Sequence, residues 1–151
     1  MQLTAHFSLE ELTASETAAR KQIDNMPGPD IMPHLQILEE GLEQVRTALR
    51  GLSIHVNSGY RSPALNAAIG GAARSAHTHG LAADIVCPQF GTPLQVCKAI
   101  EAAGLATDQI IHEYGKWCHV AFARPGAPAR KETLTIASPS SGYVTGLHPV
   151  G

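Results

Sequence analysis

Residues 75–84 read SAHTHGLAAD, and a further histidine, His119, lies downstream in WCHVAFA. Imidazoles and carboxylates are the donors that hold zinc in hydrolases, where three protein ligands leave a fourth position open. His77 and Asp84 are seven residues apart. On a helix that would be two turns, but Gly80 and the β-branched ADIV argue against a helix. The spacing predicts a loop carrying His77 that returns into a strand carrying Asp84, with Gly80 permitting the tight backbone. His119 sits mid-strand in an apolar segment, where an imidazole without a partner is costly. Two imidazoles and one carboxylate would leave Zn²⁺ with a net charge of +1, the setting in which the ion acidifies a water and polarises a carbonyl. Spacing alone leaves alternatives open. His77 with Asp84 could form an ion pair, and His119 could be satisfied by a hydrogen bond. On an extended loop His79 points the same way as His77, so the two cannot be separated. His6, His34, His55 and His148 carry no such pattern.

The elements that must position these residues can be read along the chain. Ser8 and Glu11 suit a capping box for a helix from Leu9 to about Lys21. The stretch DNMPGPDIMP is a loop. Leu35, Leu38, Leu42, Val45 and Leu49 recur at steps of three and four, which predicts a helix from Pro33 ending near Gly51. LSIHVNS and AADIVC read as strands. Ser62 with Pro63, and Thr92 with Pro93, open two more helices, which end at Gly70 and Gly104. QIIHEY and WCHVAFA read as strands about a two-residue Gly115-Lys116 turn. A short strand is expected at TLTI. The connections are too irregular for repeated βαβ units, so the expected class is α+β, with helices packed on a small, mainly antiparallel sheet. Residues 1–124 are expected to form one domain and 125–151 a Pro/Gly/Ser-rich tail.

The chain has 151 residues, enough for one sizeable core. Its net charge of -2 argues against a nucleic-acid binder that relies on a basic face. No apolar run approaches the ~18 residues of a membrane span. MQLTAHFSLEEL lacks a charged segment followed by an apolar one, so no signal peptide is expected and synthesis in the cytoplasm is. Cys87, Cys97 and Cys118 form no CxxC motif and are expected to be free, buried thiols.

The stretch SGYRSPALNAAIGGAARSAHTHGLAADI resembles the core of the zinc D-Ala-D-Ala carboxypeptidase family. It is closest in character to the small single-domain members found among phage and prophage lysis proteins. The pattern S-x-H-x-x-G-x-A-x-D is matched by Ser75, His77, Gly80, Ala82 and Asp84. SGYRS with Arg61, WCHVAF with His119, and the N-terminal HFSLEELTASETAARKQIDNMP extend the likeness over roughly residues 3–124. The resemblance implies a Hedgehog/DD-peptidase-like fold and a metal set of His77, Asp84 and His119, in preference to His79. It also implies that Arg61 grips a carboxylate or a developing oxyanion, and that Ser75 hydrogen-bonds the substrate terminus. Read without it, Arg61 is a surface ion-pair residue and Ser75 a loop cap.

Several family members carry an acid or histidine three residues before the last ligand, and here that residue is Lys116. Glu113 is therefore the expected general base, although a Gly115-Lys116 turn would pair it with Cys118 and face it away from His119 unless a bulge or shifted turn intervened. In that register His112 would share the face of His119, which makes it the reserve candidate. Trp117 and Tyr114 are expected to wall the substrate groove. The implied function is a zinc-dependent peptidase acting on peptidoglycan stem peptides, either a D-Ala-D-Ala carboxypeptidase or an L-Ala-D-Glu-type endopeptidase. A monomer reaching the wall through a separate holin-like pore is expected. The alternative is a catalytically silent, zinc-containing wall-binding or phage structural module, which Lys116 at the usual base position would suit.

Overall fold

A computed structural model describes residues 1–150. Six strands form one mixed sheet: β1 (His55–Ser58), β2 (Ala82–Val86), β3 (Thr107–Glu113), β4 (Trp117–Phe122), β5 (Glu132–Ile136) and β6 (Tyr143–Thr145). Their order across the sheet is β1-β2-β4-β3-β5-β6. Every neighbouring pair is antiparallel except β3 with β5. The α-helices of the described residues are α1 (Leu9–Thr13), α2 (Glu16–Lys21), α3 (Met32–Ala48), α4 (Pro63–Ala68) and α5 (Pro93–Ala102), and a short 3-10 helix spans Ala76–His79. None is long and apolar enough to cross a membrane.

The core lies on one face of the sheet. Leu35, Leu38, Leu42 and Val45 of α3, with Val96, Cys97 and Ile100 of α5, pack against Ala83, Ile85, Cys118, Val120 and Ile110. The apolar stripe of α3 is the one its sequence predicts, and α5 begins with a capping box between Thr92 and Gln95. Burying each of the leucine, isoleucine and valine side chains among them contributes roughly 1.5–3 kcal/mol, so this face holds the sheet while the opposite face is left for other work. Cys87, Cys97 and Cys118 are free and buried.

Three local expectations change. The single helix over residues 9–21 is two helices, because Ser15 caps a second start: its Oγ accepts from Ala18 N, and Ala14 is extended. The turn between β3 and β4 spans three residues, not two. Tyr114 and Gly115 both take positive φ, Lys116 N donates to the Glu113 carbonyl, and Glu113 pairs with Trp117. Finally, β6 was not foreseen, since three residues between glycines show no alternation. Residues 132–145 thus extend the same sheet past β3.

One buried acid stands out in α3. Glu39 is fully buried, accepts from Thr4 Oγ1 at 3.3 Å through Oε2, and has no partner for Oε1. Burial, then the nearby charges of Glu11 and Glu43, push its carboxyl up to about 7. The folded state therefore holds a proton that the unfolded chain releases near its ordinary value of 4.5. Stability from this group is fully present below that value and is lost as pH rises towards 7, by on the order of 3 kcal/mol. Glu39→Gln is expected to flatten this dependence and to raise the melting temperature at pH 8 relative to wild type. Thermal unfolding at pH 5 and pH 8 checks it; an unchanged slope would contradict the assignment.

Candidate metal centre

Asp84 lies in the middle of β2 directly opposite His119 of β4, and His119 lies opposite Ile111 of β3. Directly paired residues share a face of the sheet. Asp84 and His119 therefore stand on the face opposite the core, since their neighbours Ile85 and Cys118 point into it. His77 reaches this face from the 3-10 helix. Ser75 caps that helix by accepting from His77 N, and Gly80 ends it at φ +72°. A Cβ at Gly80 would also meet Ile31 Cγ2 at 2.8 Å. Only glycine meets both conditions without strain, and the chain then enters β2 at Ala82, two residues before Asp84.

The donor atoms converge. Asp84 Oδ1 lies 3.2 Å from His77 Nε2 and 3.0 Å from His119 Nδ1, and the three ligand atoms are all within 4.8 Å of one another. All three residues are buried, at 2%, 6% and 7% exposure. Ligand atoms around a tetrahedral zinc stand about 3.4 Å apart, so the set fits that ion. The second nitrogen of His77 supports this. Nδ1 donates to the Gly59 carbonyl at 2.7 Å, which leaves Nε2 of the neutral ring as a lone pair aimed at a carboxylate oxygen. Acceptors facing one another in a buried space call for a cation or for protons on the rings.

The electrostatics agree. Burial alone would push the Asp84 carboxyl up, but the two imidazoles outweigh it and hold the group well below the usual carboxylate range. Burial would likewise lower His119, yet the hydrogen bond and charge of Asp84 raise it above the ordinary imidazole value.

The loop that presents Gly59 is pinned by Asn25, a buried residue with no signal in the sequence. Its Nδ2 donates to the carbonyls of Thr13 and Tyr60, and its Oδ1 accepts from Ser62 N. Gly59 also passes so close to Leu12 that a Cβ would meet the Leu12 carbonyl oxygen at 2.5 Å. This explains the glycine of SGYRS.

Around the trio the remaining candidates take definite places. Glu113, Ile111, Trp117 and His119 share one face, because the three-residue turn shifts the β3–β4 register by one and reverses the facing that a two-residue turn would give. His112 is turned the other way as a result. It pairs with Cys118 and donates through Nδ1 to the His148 carbonyl, so it does not share the face of His119. Lys116 is exposed at the turn. Burial, with the Asp84 charge, raises the Glu113 carboxyl above its usual value, against the lowering pull of His119 and of the Trp117 hydrogen bond. Trp117 Nε1 donates to Glu113 Oε1 at 2.6 Å and its ring meets Tyr114 edge-on.

Arg61 Nη2 donates to Ser75 Oγ at 3.3 Å, while its buried Nε has no partner. Ser75 Oγ thus accepts from both His77 N and Arg61, and its own proton is free to be donated. His79 is separated from His77 because the segment is a 3-10 helix, not extended. It accepts from Arg124 Nη2 at 3.1 Å and lines a different cleft. Two clefts, of about 740 and about 730 Å³, meet at Arg61, Asp84 and Trp117.

Residues 5–121 match the model of a family described as Peptidase M15. No curated protein matches the chain.

The geometry predicts one bound zinc per chain, lost in His77→Ala and in His119→Ala with the fold retained. Because His119 is raised above the ordinary imidazole value of about 6.5, protons compete for it, and zinc affinity should weaken as pH falls through and below neutrality. Elemental analysis after dialysis, together with zinc titrations at pH 6 and pH 8, measures both. Wild-type zinc content retained in both variants would contradict the assignment.

Proposed function

The chain belongs to the peptidase M15 family, and from that premise we propose that it is a zinc-dependent peptidase that hydrolyses peptidoglycan stem peptides. The observation that carries this reading is the buried His77–Asp84–His119 group with the Glu113 carboxylate beside it on the same face of the sheet. A sheet with helices on one face and the site on the other also suits the Hedgehog/DD-peptidase-like architecture.

Zinc held by His77, Asp84 and His119 would supply an acidified water and a polarised carbonyl. Glu113 acts as general base and acid: it takes the proton of the attacking water and returns it to the leaving amine. Burial raises its carboxyl above the ordinary value, which makes it a stronger base than an exposed glutamate. Trp117 holds it by tying Oε1, which leaves Oε2 for proton transfer. Trp117 is thus a positioning residue in this reading as well as part of the groove wall. The Arg61 guanidinium, which lines both clefts and is held by Ser75 Oγ, places a positive charge where a substrate carboxylate, or the oxyanion that develops at the scissile carbonyl, can meet it. Ser75, already oriented by His77 N and Arg61, offers its proton to the substrate.

The clefts on both sides of the site favour an internal bond, such as L-Ala-D-Glu, over the terminal D-Ala-D-Ala bond, since a peptide can extend past the trio in either direction. The reading includes a monomer delivered to the wall through a separate holin-like pore. A catalytically silent module has less support, because the exposed Lys116 leaves Glu113 free to serve as the base.

Mass spectrometry of purified peptidoglycan after incubation tests the proposal. Wild type is expected to release free stem peptides; loss of a single D-Ala would instead identify a carboxypeptidase. Glu113→Gln should keep its zinc and lose roughly 10²–10⁴-fold in turnover. Near-full activity in that variant would remove Glu113 from the mechanism, and intact walls with wild type would sink the enzyme reading.

A further inference from the structure

The candidate base stands in a row that continues beyond the family-matched residues. Glu113 pairs with Trp117 on one side and with Ile136 of β5 on the other, and Ile136 pairs with Tyr143 of β6. A second row runs from His119 through Ile111 to Leu134. Leu134, Ile136 and Tyr143 therefore stand on the same face as the metal centre, although residues 132–145 lie outside the matched stretch 5–121.

The groove on this side is lined by Ile111, Leu134, Ile136 and Tyr143, with the loop around Gly70 and Gly71 on its opposite bank. Ile111 and Ile136 are both 4% exposed and make an apolar floor, whereas Tyr143 is 56% exposed at the rim. The β5–β6 hairpin is tied to the turn beside the site at one end and closed on itself at the other. Tyr114 N donates to the Ile136 carbonyl at 2.8 Å, and Gly146 N donates to the Thr133 carbonyl at 2.8 Å. A rigid, partly apolar bank beside the base is the form expected of a binding wall.

Resting on the stem-peptide reading above, we propose that the β5–β6 hairpin is the selectivity wall of the groove: Leu134 and Ile136 seat small, uncharged side chains of the alanyl kind, and the Tyr143 hydroxyl hydrogen-bonds the substrate backbone. Tyr143 stands two strand spacings from Glu113, roughly 10 Å. That is the length of about three extended residues. The wall therefore reads positions two or three residues from the scissile bond and does not touch the bond itself. Ile111, Leu134 and Ile136 make the floor itself apolar, while Arg74 lines the same groove away from these strands, so uncharged side chains seat on the floor and length on this side is rewarded.

The test compares a synthetic stem pentapeptide with a substrate trimmed to the two residues that flank the scissile bond. Wild type should prefer the longer peptide. Tyr143→Ala should reduce that preference, measured as the ratio of kcat/KM values, about tenfold, chiefly through KM. Tyr143→Phe should lose part of it. Zinc content and melting temperature should stay at wild-type values, since the side chain is exposed. An unchanged ratio in Tyr143→Ala would overturn the wall while leaving the peptidase reading in place. Wild type that turns over neither peptide would overturn the peptidase reading, and the wall with it.

Discussion

The structure is organised around one electrostatic constraint: a carboxylate oxygen and two imidazole nitrogens brought within 4.8 Å of one another away from water. Left without a cation or protons, these lone pairs would repel in a medium that screens them poorly. Their approach is imposed by several independent devices. The β2–β4 register sets Asp84 against His119, the 3-10 helix ending at Gly80 delivers His77, and the Gly59 carbonyl fixes which nitrogen of His77 faces inwards. Asn25 in turn secures the loop that carries Gly59. The core on the far face contributes the stability against which this local repulsion is held.

The second determinant is a single turn. Tyr114 is not a residue that readily takes positive φ, yet it does so beside Gly115. The added residue moves the β3–β4 pairing by one position, and because side chains alternate along a strand, every facing on β3 is reversed relative to β4. Glu113 thereby joins the face of His119 and His112 leaves it. The same turn lets Trp117 hold Glu113. It also docks on β5 through the Tyr114–Ile136 hydrogen bond, so the placement of Glu113 and the position of the C-terminal hairpin are set together.

Much of the framework was legible in the residues. The stripe of α3, the Ser62-Pro63 and Thr92-Pro93 helix starts and the alternation of the strands all act over a few neighbouring residues, and these appear where expected. What local pattern could not carry was pairing over distance. Ser15 breaks a helix because a capping serine competes with continuation. The difference between His77 and His79 depends on a 3-10 helix, which has no periodic signature. The register around Tyr114 depends on a backbone conformation its side chain does not announce. Asn25, Gly59 and the tie between Trp117 and Glu113 are visible only once the chain is folded, and so is the burial of Glu39 within an otherwise regular amphipathic helix.

If the buried trio is the metal centre of a peptidase, hydrolysis of a stem peptide should return as zinc is added back to metal-stripped protein. Metal-stripped protein should show no hydrolysis, and the rate should rise in proportion to added zinc and level off at one equivalent per chain. Hydrolysis at full rate in the stripped protein, or one equivalent of zinc taken up with no hydrolysis at all, would contradict that role for the trio.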